Sequence, residues 1–143
     1  MRVSLSDRER RFIGVFEEET ETTARDCIVV EDDDETRVVF LVAAGEMGTA
    51  IGPGGQRVNA LEEQLGKTVH LVEDADTPEA FVAAALAPAA VRHVTISEQN
   101  DRVAYVEVPD DERGAAIGKS GRNIDIARRL AARHHDIDDI QLT

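Results

Sequence analysis

The sequence of 143 residues has no tryptophan, one tyrosine, four phenylalanines, one cysteine and four prolines. Cys27 alone cannot close an internal disulfide, and its place in the apolar run Cys27-Ile28-Val29-Val30 reads as a small packed hydrophobe rather than a reactive thiol. His70, His93, His134 and His135 have no cysteine partners and no i, i+4 pair among them, so neither a metal nor another cofactor is expected. The longest near-apolar stretch, Phe81 to Val91, is 11 residues and contains Pro88. It is too short to span a bilayer, and no membrane partner is expected. The first seven residues run straight into Arg8 to Arg11 without an apolar segment or small-residue cleavage site. No secretory signal is read there, and the expected location is the cytoplasm.

Lysine is scarce as well: only Lys67 and Lys119 stand among 16 basic residues, against 29 acidic ones, for a formal net charge of −13. With 42% hydrophobic residues the chain is too apolar to be a disordered acidic tail. An acid excess with arginine in place of lysine resembles the proteins of salt-accumulating halophiles, whose hydrated surfaces stay soluble where electrolyte screens ordinary repulsion. The charge is unevenly spread. Between Arg113 and Arg133 the basic residues are Arg113, Lys119, Arg122, Arg128, Arg129 and Arg133, with Asp125 the sole acid. A basic patch thus lies inside an acidic protein.

An internal repeat organises the rest. Glu46 to Gly55 aligns without gaps with Glu112 to Gly121 at an offset of 66, six of the ten positions being identical. The apolar register continues beyond, with Val58 opposite Ile124 and Leu65 opposite Ala131. In the first copy the periodicity predicts a helix over 7–22 capped by Ser6 or Asp7, a hairpin of strands 26–30 and 37–43, a short helix 46–51, a helix 56–65 ending at Gly66 and a strand 67–73. In the second, Thr77 caps a helix over 79–87 with Pro78 at its first position. A hairpin of strands 92–97 and 102–108 follows, then a short helix 110–117, a helix 122–134 and a strand 138–143. Both copies read αββααβ. The domains are placed at 1–76 and 77–143, joined at Asp74-Ala75-Asp76, a connection short enough that the units are expected to present one joined surface.

Gly52-Pro53-Gly54-Gly55 and Gly118-Lys119-Ser120-Gly121 each link a short helix to a longer one. Glycines let backbone approach a ligand unobstructed, and the helix start beyond offers amides and a positive dipole end to a phosphate. Lys119 and Arg122 add charge to the second loop, and Arg57 alone is near the first. The Gly-Lys-Ser end of loop 118–121 is not a nucleotide-binding P-loop, because the glycine required five residues earlier is Arg113 and no strand feeds the turn. Acid clusters such as Glu17-Glu18-Glu19 and Asp138-Asp139 have no nucleophile or histidine placed to work with them, so no enzyme is expected.

Flanked by Ile51 and Val58 in one copy and Ile117 and Ile124 in the other, the Gly-x-x-Gly turns resemble those of K-homology (KH) domains, and two type II domains almost without linker resemble the KH pair of the NusA family, its short archaeal members above all. The resemblance implies an α+β fold, each domain a three-stranded sheet packed by helices. It also implies single-stranded RNA held by the glycine loops, the flanking aliphatic residues and Arg129, a role in transcription termination or antitermination, and RNA polymerase as a further partner. With few aromatics, aliphatic contacts rather than rings are expected to meet the bases. The first loop departs from the family pattern, having Pro53 and Gly54 where a basic residue is common, so the second unit is expected to supply most phosphate binding. Two other readings share the residues: an acidic adaptor docking on RNA polymerase or ribosomal proteins, and a KH protein of ribosome assembly. A monomer is expected, since two units can cover each other's apolar edges.

Overall fold

The computed structural model describes residues 4–32 and 34–143. The chain folds as two compact units, the first ending at Asp74 and the second beginning at Ala75.

In the first unit, helix α1 (Asp7–Thr20) starts where Ser6 and Glu9 satisfy each other: Ser6 Oγ accepts from the Glu9 amide and Glu9 Oε1 accepts from the Ser6 amide. Of the two caps the sequence offered, Ser6 is the one used. The helix stops two residues earlier than its polarity pattern suggests because Glu21 turns left-handed (φ 56°). Strands β1 (Ala24–Glu31) and β2 (Thr36–Val42) pair antiparallel, with Cys27 opposite Phe40 and Ile28 opposite Val39. At their turn Asp32 Oδ1 accepts from the amides of Asp34 and Glu35; Asp33 of the expected turn lies outside the described residues. Helix α2 (Met47–Ile51), a 3-10 turn (Pro53–Gly55) and helix α3 (Gln56–Leu65) follow, and β3 (Thr68–Glu73) returns parallel to β2. The sheet order is β1-β2-β3.

The core of this unit gathers Phe16 of α1, Cys27, Val38, Phe40 and Val42 of the sheet, Ala50 of α2 and Leu61 of α3. Phe16 and Phe40 stack with ring centroids 4.6 Å apart. Cys27 is fully buried, as its apolar neighbours suggested.

The second unit repeats the plan. Thr77 Oγ caps α4 (Pro78–Ala85) by accepting from the Ala80 amide, with Pro78 at the first helical position. Strands β4 (His93–Ser97) and β5 (Val103–Glu107) form the antiparallel hairpin. The segment expected as one helix over 110–117 splits into a 3-10 turn (Asp110–Glu112) and α5 (Arg113–Ile117). A further 3-10 turn (Lys119–Gly121) leads to α6 (Arg122–His135), and β6 (Asp139–Leu142) lies parallel to β5 in a sheet of order β4-β5-β6. Helix α6 buries Ile124, Ile126, Ala127, Leu130 and Ala131 along one face, and Phe81 of α4 stacks on His135 at 4.6 Å.

The helices cover one face of each sheet. On the opposite face the units differ: Ile28, Val39, Leu41 and Val72 are buried in the first, whereas the register positions matching the first three in the second are Thr95, Tyr105 and Glu107, all exposed.

Candidate nucleic-acid interface

The two glycine loops follow the same backbone path. Gly52 has φ 76° and ψ 168°, and Gly118 has φ 77° and ψ 169°. This region is essentially closed to residues with a Cβ. Gly54 (φ 61°, ψ 22°) is matched by Ser120 (φ 57°, ψ 26°), and Gly55 (φ 78°, ψ 14°) by Gly121 (φ 76°, ψ 9°). Each turn closes on itself, Gly55 N–H donating to Gly52 O and Gly121 N–H to Gly118 O, both at 3.1 Å.

Packing, besides dihedrals, requires glycine at the first position. A Cβ on Gly52 would lie 2.8 Å from Arg57 Cγ and 3.0 Å from the Arg57 amide, and on Gly118 it would lie 2.7 Å from Asn123 Cβ and 2.8 Å from its amide. The loop is thus folded tightly over the first turn of the following helix. No side chain caps α3 or α6; the first amide of each donates back into its own turn, Gln56 N–H to Pro53 O and Arg122 N–H to Lys119 O, so what each loop offers an anion is its exposed tip with the positive end of the helix behind it. The middle residues, Pro53 and Gly54 in one loop and Lys119 and Ser120 in the other, are exposed. Pro53 brings no N–H, whereas Lys119 brings a cation and Ser120 a hydroxyl.

The residue two positions beyond each loop ties the following helix to the end of the unit's first helix. Arg57, assigned from sequence to the first loop's ligand, instead turns to the end of α1: Nη1 donates to Thr20 O, and Nη2 donates to Glu21 Oε2 at 3.1 Å. Its repeat counterpart, Asn123, is buried, and its Nδ2 lies 3.1 to 3.3 Å from the carbonyl oxygens of Leu86, Ala87, Ala115 and Ala116. Thr20 and Leu86 are themselves counterparts at the offset of 66. Both units therefore tether the helix start behind the glycine loop to the carboxyl end of their first helix, one with a guanidinium and the other with an amide. The offset was the signal that could have identified Asn123.

Beside the second loop lies an open groove of about 420 Å³. Arg113 and Ile117 of α5 form one side, Gly121 the loop end, Ile124, Asp125 and Arg128 of α6 the floor, and Gln141 and Leu142 of β6 the far wall. Ile117 is 37% exposed and Ile124 is buried, an aliphatic lining that a base can lie against. In the first unit Ile51, 38% exposed, and half-buried Val58 hold the matching places.

The rims differ in charge. Arg128 is engaged by Ile140 O (Nη2 at 3.1 Å), Asp139 (3.0 Å) and Asp125 (3.2 Å), and Arg113 Nη1 donates to Thr143 O at 3.3 Å. Their repeat counterparts are Glu62, which accepts from the Val69 amide at 2.9 Å, and Met47. Arg122 is half-buried at the start of α6, while Arg129 sits exposed on α6 outside the groove lining. The structure brings Ile51, Gly52, Pro53, Gly54, Gly55 and Val58 together at one loop, and Ile117, Gly118, Lys119, Ser120, Gly121, Arg122 and Ile124 at the other. It adds Arg113, Arg128, Gln141 and Leu142 to the second.

Among the described residues no group of histidine, cysteine or acidic side chains is arranged to hold a metal ion, and no helix is long and apolar enough to cross a membrane.

Comparison with known proteins matches residues 11–77 to the KH domain and residues 78–143 to the NusA-like second KH domain. The "Probable transcription termination protein NusA" of Halobacterium salinarum is 60% identical over 143 residues, covering 100% of both chains. The protein of the same name from Halococcus morrhuae is 58% identical over 99% of both. The crystal structure of APE1850 superposes with a TM-score of 0.80 at 34% identity, covering 97% of this chain and 100% of that one. With two glycine loops of one geometry and likeness along its whole length, this chain belongs to the archaeal NusA-like family, built from two KH domains.

Proposed function

We propose that the chain binds single-stranded RNA at its glycine loops, predominantly through the second, and acts in transcription termination or antitermination by holding the transcript. The observation that carries this reading is the double occurrence of one sterically demanding turn, each copy with exposed middle residues, an uncapped helix start and an exposed isoleucine beside it. A phosphate at the tip of the second loop places the next base against Ile117 and Ile124. Names borne by the relatives point to the same process. RNA polymerase is the partner such a factor would act on, and the cytoplasm its location.

In a salt-rich cell, screening and weak counterion release leave donor geometry and aliphatic contact as the main sources of affinity. Fluorescence anisotropy with short single-stranded RNA in concentrated KCl tests the reading. Lys119→Asp with Ser120→Asp should lower affinity at least about tenfold, as removal of one phosphate contact and addition of two repelling charges demands. Pro53→Asp with Gly54→Asp should lower it far less. Equal losses would remove the division between units, and wild-type protein that binds no RNA would leave the acidic adaptor standing. Sequencing RNA crosslinked to the protein in cells separates nascent transcripts from ribosomal precursors.

A further inference from the structure

Ring scarcity in the sequence says nothing about where the rings are. Phe16, Phe40 and Phe81 are fully buried, and Phe12 packs against the first core. Tyr105, the sole tyrosine, is 38% exposed in the middle of β5. Its strand neighbours Ala104 and Val106 are buried on the helix side, so its ring stands on the opposite, open face of the sheet.

The register connects this ring to the groove. Tyr105 pairs with Thr95 on one side and Gln141 on the other, both exposed. Gln141 is also part of the groove's far wall. The ring is therefore one strand spacing, about 4.8 Å, inside that wall. The two acids on this face are unequal. Asp139 is held by Arg128 at 3.0 Å and by Gln141 Nε2 at 3.3 Å, which lowers its repulsion of a passing phosphate. Glu107 is exposed toward the β4 side, opposite His93. A strand that crosses at β6 meets the neutralised acid and avoids the other. In the first unit the position matching Tyr105 is Val39, which is buried, so it has no equivalent.

We propose that Tyr105 is a base-stacking position: RNA leaving the groove of the second unit over β6 lays its next base on the tyrosine ring, between Thr95 and Gln141. An aromatic face with small polar neighbours suits any base, because every base has a π-face. This extends the site by one nucleotide and rests on the RNA-binding reading above.

Because the chain has one tyrosine and no tryptophan, its ultraviolet emission reports this residue alone. Titration of the wild-type protein with oligouridylates of increasing length, corrected for absorption with free tyrosine, should leave emission unchanged for the shortest binders and quench it for longer ones, in step with anisotropy. Tyr105→Phe should keep the affinity for the long oligonucleotide and Tyr105→Ala should lose about fivefold, the lower end for one stacked base. RNA binding with unaltered emission at every length, or undiminished affinity in a folded Tyr105→Ala variant, overturns the stacking position and leaves the glycine-loop reading intact. Absence of binding by any oligonucleotide overturns both. If Tyr105→Ala does not fold, the emission titration of the wild type decides the matter.

Discussion

Loops 52–55 and 118–121 trace the same path, yet one carries Pro53 and Gly54 at its tip and the other Lys119 and Ser120. The contrast separates two kinds of constraint. The first glycine of each loop faces a Cβ collision and a backbone region that only glycine occupies, so neither copy can change it without moving the helix behind. The tip residues are exposed and meet only solvent or ligand. Their type is therefore free to differ between the copies, and the loop cation, Lys119, stands in the second. The tether shows a third case: position 57 or 123 must donate to a helix end, but a guanidinium and an amide both do it.

The largest expected effect comes from testing how alike the two loops are. Gly118→Ala should cost about 3 kcal/mol in urea unfolding, since its Cβ meets the backbone and Cβ of a buried residue. Gly52→Ala should cost less, about 2 kcal/mol, because its nearest neighbour is the Cγ of a half-exposed arginine that can shift. Equal costs would mean that the tethers are equally rigid. Smaller effects should follow removal of the tethers themselves. Asn123→Ala takes a buried amide away from four carbonyl oxygens and should cost about 1.5 kcal/mol, against about 1 kcal/mol for Arg57→Ala, whose guanidinium is a third exposed and has the exposed Glu21 as one of its two partners. Of the two variants, only Asn123→Ala should also lower RNA affinity, as Asn123 supports the charged loop.

The smallest effect distinguishes the third strands. Burial, and then the charge of Arg37, holds the His70 imidazole below its ordinary pKa. The unfolded chain therefore binds a proton that the folded chain refuses as pH falls through the usual imidazole range. Stability from this residue is complete above that range and declines below it. Gln141, at the matching register position against β5, does not titrate. His70→Gln should flatten the dependence of the urea midpoint between neutral and mildly acidic pH, and an unchanged slope would assign that dependence to other groups.

Much of this architecture could be read along the chain. Helix α3 begins and ends where its glycines said it would, because Gly55 and Gly66 both adopt positive φ at its caps. Thr77 and Pro78 marked the start of α4 for the same local reason. Helix ends set by non-glycine residues were less visible: Glu21 turns left-handed after Thr20, and nothing in its type announces that. Within the site, the loops and their flanking aliphatics were legible as a repeated motif. Arg57 was not, since a cation near a loop looks the same whether it points to a phosphate or to a carbonyl of α1.

Sequence alone determined the duplicated αββααβ order, the glycine loops and the placement of positive charge near the second, because each depends on local dihedral preference, periodicity or simple composition. Tertiary structure decided that Arg57 and Asn123 are tethers, that Gln141 and Leu142 wall the groove, and that the single tyrosine lies on an open sheet face. Those facts depend on which strand pairs with which and in what register, and residues as distant as Tyr105 and Gln141 become neighbours only when the parallel pair β5–β6 forms.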